Sequence, residues 1–502
     1  MGSGAHNLSC LPALETRRLS HKNSLSLDGP KKTYNLAMTE KLEAFRLGDI
    51  RGIYLEDIDA EFAIQFAHAF AQHFSLKGHV AIGRDMRASS VVLQDGLNQG
   101  FTASGLNVVN LGLCATELGY FASSMPDIAA VIVVTASHNP ARYNGFKCVL
   151  QGGVGIHYEN GLRQVMELML AGHNNRVSRK GKVTSRDYHA QYIEFLKGRF
   201  DIDGAKAGVI ALNGLNGTAS TLAADIAYEF ELPVTWFRKE PGPIPDGGAD
   251  PINPELRLQM FDYMQSDHFS LGVAWDGDCD RCVFFDGEGR YVPSYYMVGF
   301  LADHILGQSG PGAIVYDTKI YWNLMEVIRR HGAQAVPSRT GHAFMKENMK
   351  RHNALYGGEL SSHHYFGDFF HCDSGMYAWL KAVEFITRLE LPLEELVAER
   401  RHRFKCTTEL SIVLTSAQDA AEALLKKYAG GASRVDRTDG LALDMGSWRF
   451  SIRDSKTEPV VRVNFETVDS GTNLIEYGAR VLQVLEPFRA DDAEWWRGLE
   501  VE

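Results

Sequence analysis

The sequence predicts an α/β protein built of several units, with mixed sheets in the first three and an α+β arrangement in the last. Three observations carry that expectation. Apolar strand-like runs alternate with helical stretches of about 10–15 residues over most of the chain. Its 502 residues leave room for three or four separate cores. From residue 402 onward the rhythm changes to short strands around two helices.

Residues 1–39 stand apart. Arg17, Arg18, Lys22, Lys31 and Lys32 are scattered among serines, without periodicity and without the apolar core of a signal peptide. They are expected to be a leader, disordered or non-native, with Met38 a candidate initiator. The first unit, 40–185, opens with an amphipathic helix over Phe62–Phe74. The strands His79–Gly83 and Asn107–Leu113 follow, then the β-branched run Ile128–Val134, which predicts a buried strand. Helices over Leu162–Leu170 and Tyr188–Phe200 lead into a second unit, 186–290. It starts on the strand Ala207–Asn213 and closes after the turn Asp286-Gly287-Glu288-Gly289. The third unit, 291–401, has a helix over Tyr295–Leu306 and a strand over Ala313–Thr318. The fourth, 402–502, carries helices over Ala417–Tyr428 and Leu474–Leu482.

Composition narrows the function classes. Apolar content of 45% and charged content of 23% are those of a soluble globular protein. No apolar run is long enough for a membrane span, and a net charge of −11 argues against a nucleic-acid surface. An anionic substrate must then meet a local basic pocket. Seven scattered cysteines suit a reducing cytoplasm, and Cys279-x-x-Cys282 has no second pair to complete a zinc site.

Two stretches carry chemistry. Thr135-Ala136-Ser137-His138-Asn139-Pro140 follows the buried strand, so Ser137 is presented on a turn at the sheet edge where open α/β sheets bind ligands. No glycine flanks it, which excludes the Gly-x-Ser-x-Gly elbow of the α/β-hydrolases. Such a hydroxyl can carry a phosphoryl group. Asp276-Gly277-Asp278-Cys279-Asp280-Arg281 places carboxylates at alternate positions of a tight loop, able to converge on one hard divalent cation. A solvated acidic turn is the alternative. A calcium loop fails on spacing, since Arg281 and Gly287 stand where it needs glycine and an acid.

Together these stretches resemble the α-D-phosphohexomutases, in which a phosphoserine faces a Mg²⁺-binding Asp-Gly-Asp-x-Asp-Arg loop. Gly358-Glu359-Leu360-Ser361-Ser362-His363 looks like that family's sugar-binding loop. Arg453-Asp454-Ser455-Lys456-Thr457-Glu458-Pro459 looks like its phosphate-binding loop. Four motifs in family order make the match specific. Ser362–Phe366 and Cys372–Met376 look like the bacterial phosphomannomutase and phosphoglucomutase branch.

The resemblance implies a heart of four domains, three alike and mixed α/β, and a mutase that interconverts mannose 6-phosphate and mannose 1-phosphate. Glucose phosphates are implied as further substrates, or as the primary ones. It implies Mg²⁺ held by Ser137, Asp276, Asp278 and Asp280, and a hexose 1,6-bisphosphate as intermediate and activator. Catalytic positions carried over are Ser137, His138, Arg51, Lys147 and His342. Substrate contacts carried over are Arg281, Lys319, Glu359, Ser361, His363, Arg453, Ser455, Lys456 and Thr457. Lys456 replaces the family's usual Asn or Gly, and Gly48 replaces its usual Tyr. Arg84 and Arg87 look like basic residues lining the cleft. The partners expected are hexose phosphates alone, with a monomer or homodimer in the cytoplasm. An aspartyl-nucleophile sugar phosphatase is a competing reading, but it needs Asp-x-Asp-x-Thr near the chain start, and here Asp280 stands at the Thr position. A non-catalytic sugar-phosphate binder would have no use for Ser137 or for three aspartates.

Overall fold

The computed structural model describes residues 42–172, 177–244, 248–389, 391–455, 460–491 and 498–501. The expected leader, with Lys456 and Thr457, lies outside the described residues.

Four sheets follow one another along the chain. In the first, His79–Arg84 lies between Asn107–Leu113 and Ile128–Val134 and runs parallel to both. Tyr143–Leu150 then returns antiparallel along Ile128–Val134, and Ile50–Ile53 pairs antiparallel on its far side. This pairing puts Arg51 and Lys147 beside the turn that leaves Val134. The second and third sheets repeat the mixed plan, with Leu271–Trp275 parallel to Ile210–Asn213 and Ala313–Asp317 parallel to Tyr356–Gly358. The last sheet is antiparallel throughout.

The helices form where the apolar spacing asks for them. Phe62, Phe66 and Phe70 recur every fourth residue along the buried side of Ala60–His73, and the Asp59 carboxylate caps its first turn by accepting from Phe62 N at 2.8 Å. That helix packs on Ala88–Ala103 at glycine distance: a Cβ at Gly100 would stand 2.5 Å from the Ile64 carbonyl oxygen. The second unit's opening strand is shorter than expected, Ile210–Asn213, because Gly204–Lys206 turns as a 3-10 helix first. The last helix runs on to Leu485, whose side chain continues the buried face of Val481 and Leu482. No helix among the described residues is long and apolar enough to cross a membrane.

One apolar cluster runs through the first three units, joining Leu118 and Tyr192 to Trp275 and Trp379. The last unit has a cluster of its own around Leu424, Phe450, Val463 and Leu482. It docks on the third unit through a buried ion pair. Arg449 binds Glu466 at 2.7 Å and also donates to the Thr318 carbonyl at 2.6 Å, while Glu466 accepts from Tyr295 Oη and Trp322 N.

Candidate active site

Ser137 sits in a turn that the rest of the molecule holds in place. Its φ of +51° is left-handed, a strained choice for serine that the surroundings must fix. Arg87, anchored on Asp85 at 3.0 Å, donates to the carbonyls of Ser137, Asn139, Pro140 and Tyr143 at 2.6–3.0 Å. Arg51 reaches in from the neighbouring strand to the Ala136 carbonyl and Asn139 Oδ1, backed by Asp49. The hydroxyl is thereby aimed away from the sheet. It donates to Asp276 Oδ2 at 2.7 Å and lies 3.3 Å from His138 Nδ1. Burial, with Arg281 and Arg51 nearby, holds the His138 ring well below the ordinary imidazole range, so it is neutral.

Two loops from different sheets can meet this closely because one of them has no side chain. A Cβ at Gly277 would stand 2.8 Å from the Ser137 carbonyl oxygen. Asp276, Asp278 and Asp280 are buried, with one oxygen from each within 4.8 Å of the others. At that separation, like charges repel by about 3–4 kcal/mol per pair at an effective dielectric near 20. Lys147 binds Asp278 at 2.7 Å and also Asp280, while the Arg281 backbone N–H donates to Asp276 at 3.2 Å and its guanidinium lies 3.8 Å from the same carboxylate. Two cations against three carboxylates leave the loop short of positive charge. Burial and the two neighbouring aspartates push Asp276 up to about 8. Asp280 is also buried, but Lys147 and His363 overcome that and hold it well below the carboxylate range. Asp278 Oδ1 is buried without a hydrogen-bond partner, and Asp280 Oδ1 has only the His363 ring, 3.4 Å away. An all-oxygen donor set with an orphaned buried oxygen and a charge deficit fits a hard divalent cation such as Mg²⁺.

The facing wall comes from the third unit. Glu359 is fixed by Gly341 N at 2.7 Å and Tyr365 Oη at 2.6 Å. Ser361 Oγ lies 2.8 Å from His363 Nδ1, and His363 Nε2 lies 3.4 Å from Asp280, linking this wall to the acid loop. Lys319 pairs with Asp317 at 2.5 Å and donates to Thr340 Oγ1 at 2.8 Å. Thr340 donates in turn to Asp439 of the last unit at 2.7 Å. His342 opens the next helix, His342–Arg351.

Most of these surround one cavity of about 570 Å³, the size of a small-ligand site, with Asp276 and Asp278 set behind its lining. Arg51, Ser137, His138, Lys147, Asp280, Arg281, Lys319, His342, Glu359, Ser361, His363, Arg453 and Ser455 all line it. A more open hollow of about 900 Å³ beside Trp322, Arg403 and Asp469 contains none of them. Four sheets thus deliver one basic cleft with a metal-type acid loop at the serine end.

Models of the phosphoglucomutase/phosphomannomutase α/β/α domains I, II and III match residues 42–174, 190–289 and 293–404. The chain belongs to the phosphoglucomutase/phosphomannomutase family. Phosphohexose mutases of Xanthomonas campestris are 36% identical over 430 residues, 85% of this chain and 95% of theirs. A phosphomannomutase of Escherichia coli is 36% identical over 437 residues, with the same coverage. The crystal structure of a phosphoglucomutase/phosphomannomutase family protein from Burkholderia thailandensis superposes with a TM-score of 0.81 at 26% identity, covering 88% of this chain and 98% of that one. Phosphoglucomutase/phosphomannomutase membership makes the chain an enzyme that moves phosphate within one substrate, an isomerase by class.

Within that family cleft, several residues were not singled out from the sequence. Arg46, Arg257, Glu409 and Arg462 all line the cavity. Each lies outside the four motifs, in stretches whose local pattern is that of an ordinary surface. Arg84 and Arg87 are a correction. Neither lines the cavity, because Arg87 is buried and its guanidinium is consumed by the serine turn, while Arg84 donates to the Asp85 carbonyl at 3.2 Å.

Proposed function

We propose that the chain is a magnesium-dependent phosphomannomutase, which interconverts mannose 6-phosphate and mannose 1-phosphate and also turns over glucose phosphates. The observation that supports this most is the meeting of Ser137 Oγ with Asp276 Oδ2 at 2.7 Å beside a cavity that Ser137 lines together with Arg453 and Ser455. A hexose with phosphates at both ends needs a cleft that serves both.

Phospho-Ser137 is the donor in this reading. Mg²⁺, held by Asp276, Asp278, Asp280 and an oxygen of the serine's phosphate, would supply Lewis-acid polarisation of the phosphorus–oxygen bond. Lys147 pairs with Asp278 at 2.7 Å and also with Asp280, and so holds two of those carboxylates in place. Burial works against its charge, but Asp278 and Asp280 more than compensate and raise its pKa. Arg281 offers its guanidinium to the phosphoryl oxygens. Glu359 and Ser361 accept and donate at vicinal sugar hydroxyls, and Arg453 with the loop after it takes the far phosphate. The hexose 1,6-bisphosphate formed on the first transfer turns over in the cleft and returns its other phosphate to Ser137. Four domains, divided near residues 185, 290 and 401, each contribute one loop to this chemistry. Cys114, Cys148, Cys279, Cys282 and Cys372 are free and buried, which suits a reducing cytoplasm.

A coupled assay of mannose 1-phosphate against glucose 1-phosphate, with and without hexose 1,6-bisphosphate, tests the reading. Turnover of mannose 1-phosphate that rises with the bisphosphate is expected. Failure to turn over either sugar phosphate with the bisphosphate and Mg²⁺ present would overturn it.

A further inference from the structure

Thr116 is fully buried at the start of the short helix Thr116–Ala122 in the first unit, and it reaches the acid loop of the second. Its backbone N–H donates to the Asp278 carbonyl at 2.9 Å, and its hydroxyl donates to Asp278 Oδ2 at 2.9 Å. One residue thus grips both the main chain and the side chain of one aspartate, 162 positions further along.

Asp278 Oδ2 also accepts from Lys147 Nζ at 2.7 Å. A carboxylate oxygen has two lone pairs, and these two donors fill them. Oδ1 is buried and has no hydrogen-bond partner. The two oxygens of one side chain are thereby sorted into one that is held and one that is left over. The donors also differ in kind. Lys147 brings a positive charge, which it shares with Asp280, whereas the Thr116 hydroxyl is neutral. A neutral donor orients the carboxylate without cancelling the charge that draws a cation. Asp276 has a neutral hydroxyl donor too, but that is Ser137, which the proposed reaction phosphorylates. Thr116 has no such second duty.

We infer that Thr116 is a positioning residue for the divalent cation: it pins Asp278 through Oδ2 and so leaves Oδ1 as the oxygen for the ion. Affinity for a hard cation follows ligand charge and site rigidity, and this hydroxyl supplies rigidity while leaving the charge intact. With the hydroxyl removed, Asp278 keeps only Lys147 on Oδ2. The carboxylate is then free to turn about its Cβ–Cγ bond, and Oδ1 competes for the ammonium. The N–H contact to the Asp278 carbonyl survives a side-chain change at 116, so the loop keeps its path and the effect falls on the carboxylate. The inference rests on the Mg²⁺-dependent mutase reading, but its test reads metal affinity and needs no turnover.

The test titrates MgCl₂ into the full-length protein by isothermal titration calorimetry, after chelator treatment and with Ser137 in one phosphorylation state checked by intact mass. Thr116→Val keeps the β-branched shape and removes the hydroxyl, whereas Thr116→Ser keeps the hydroxyl. Thr116→Val should bind Mg²⁺ about 10-fold more weakly than the wild type, the lower end of what losing a partner of a metal ligand does, and Thr116→Ser should stay within about threefold. Circular dichroism in metal-free buffer checks folding, and Thr116→Ala gives the same readout should the valine variant fold poorly. In the coupled assay the Mg²⁺ concentration for half-activation should rise about 10-fold in Thr116→Val, while KM for the hexose phosphate at saturating Mg²⁺ stays within about twofold. A purely structural role would lower the melting temperature and leave Mg²⁺ affinity alone. Wild-type Mg²⁺ affinity in a folded Thr116→Val or Thr116→Ala, or a Thr116→Ser as weak as Thr116→Val, would overturn the inference, and so would a wild type that binds no Mg²⁺. Absence of turnover in a wild type that binds Mg²⁺ would instead count against the mutase reading, with the titration still deciding the role of Thr116.

Discussion

Arg453 and Arg462 stand directly opposite each other on neighbouring antiparallel strands, and Glu409 lies against both, at 3.5 Å and 3.7 Å. Like charges placed this way repel. The carboxylate partly offsets that repulsion. In the proposed reading a substrate phosphate would compete with Glu409 before it could use both guanidinium forks. Glu409→Gln should lower KM for the hexose phosphate by about two- to fivefold while costing less than about 1 kcal/mol of stability, since the pairs are partly exposed. Arg453→Ala should do the opposite, raising KM and lowering kcat together, because binding energy at the far phosphate is spent at the reacting one. Steady-state kinetics with denaturant titration checks both variants, and an Arg453→Ala enzyme with wild-type kinetics would remove the anchor.

Ser137→Ala should abolish turnover and leave the fold intact. The turn is held by Arg87 through backbone carbonyls, which the substitution does not touch. Intact-mass measurement should show a phosphate-sized increment in the wild type and none in the variant. Mutase activity surviving in Ser137→Ala would end the phosphoserine mechanism.

Asp278→Ala should lower activity by more than the roughly 10–100-fold typical of losing an outer-shell metal partner, and should weaken the Mg²⁺ requirement measured by titration. Lys147 keeps Asp280 as a partner in that variant, so a folding failure is not expected. Full wild-type activity in excess chelator is the contrary result.

Glu117 gives a pH-dependent stability of definite sign. It is fully buried at the start of the helix Gly375–Ile386, accepting from Ser374 Oγ and Met376 N, and desolvation pushes its carboxyl up to about 8. A folded-state value raised above the unfolded one means the folded protein holds the proton more tightly. This contribution is therefore full below pH about 4.5 and is lost as pH rises through about 8. Thermal melts between pH 5 and pH 8.5 should show the wild type losing stability toward the alkaline side more steeply than Glu117→Gln. Parallel melting profiles would show that the carboxyl is ionised throughout.

The elements of this fold were legible because their cause is local. Phenylalanines at fourth-residue spacing mark Ala60–His73, and a β-branched run marks Ile128–Val134. Ser137 and the three aspartates were legible for a related reason, each motif being a turn whose chemistry is written in adjacent residues. Arg87 was visible but misread. Its side chain turns inward to carbonyls more than fifty residues away in sequence, and only the folded chain sets that distance. Glu409 and Arg462 carry no local mark at all, because each matters through a partner on another element.

The Arg87 clamp has a consequence for the proposed cycle, in which Ser137 would alternate between a bare hydroxyl and a dianionic ester. The contacts that Arg87 and Arg51 make with the turn end on backbone carbonyls or on Asn139, and none of them ends on the serine hydroxyl. In the proposed cycle the turn would then act as a socket that need not be rebuilt when the phosphate is lost or regained, so that both half-reactions would start from one backbone geometry.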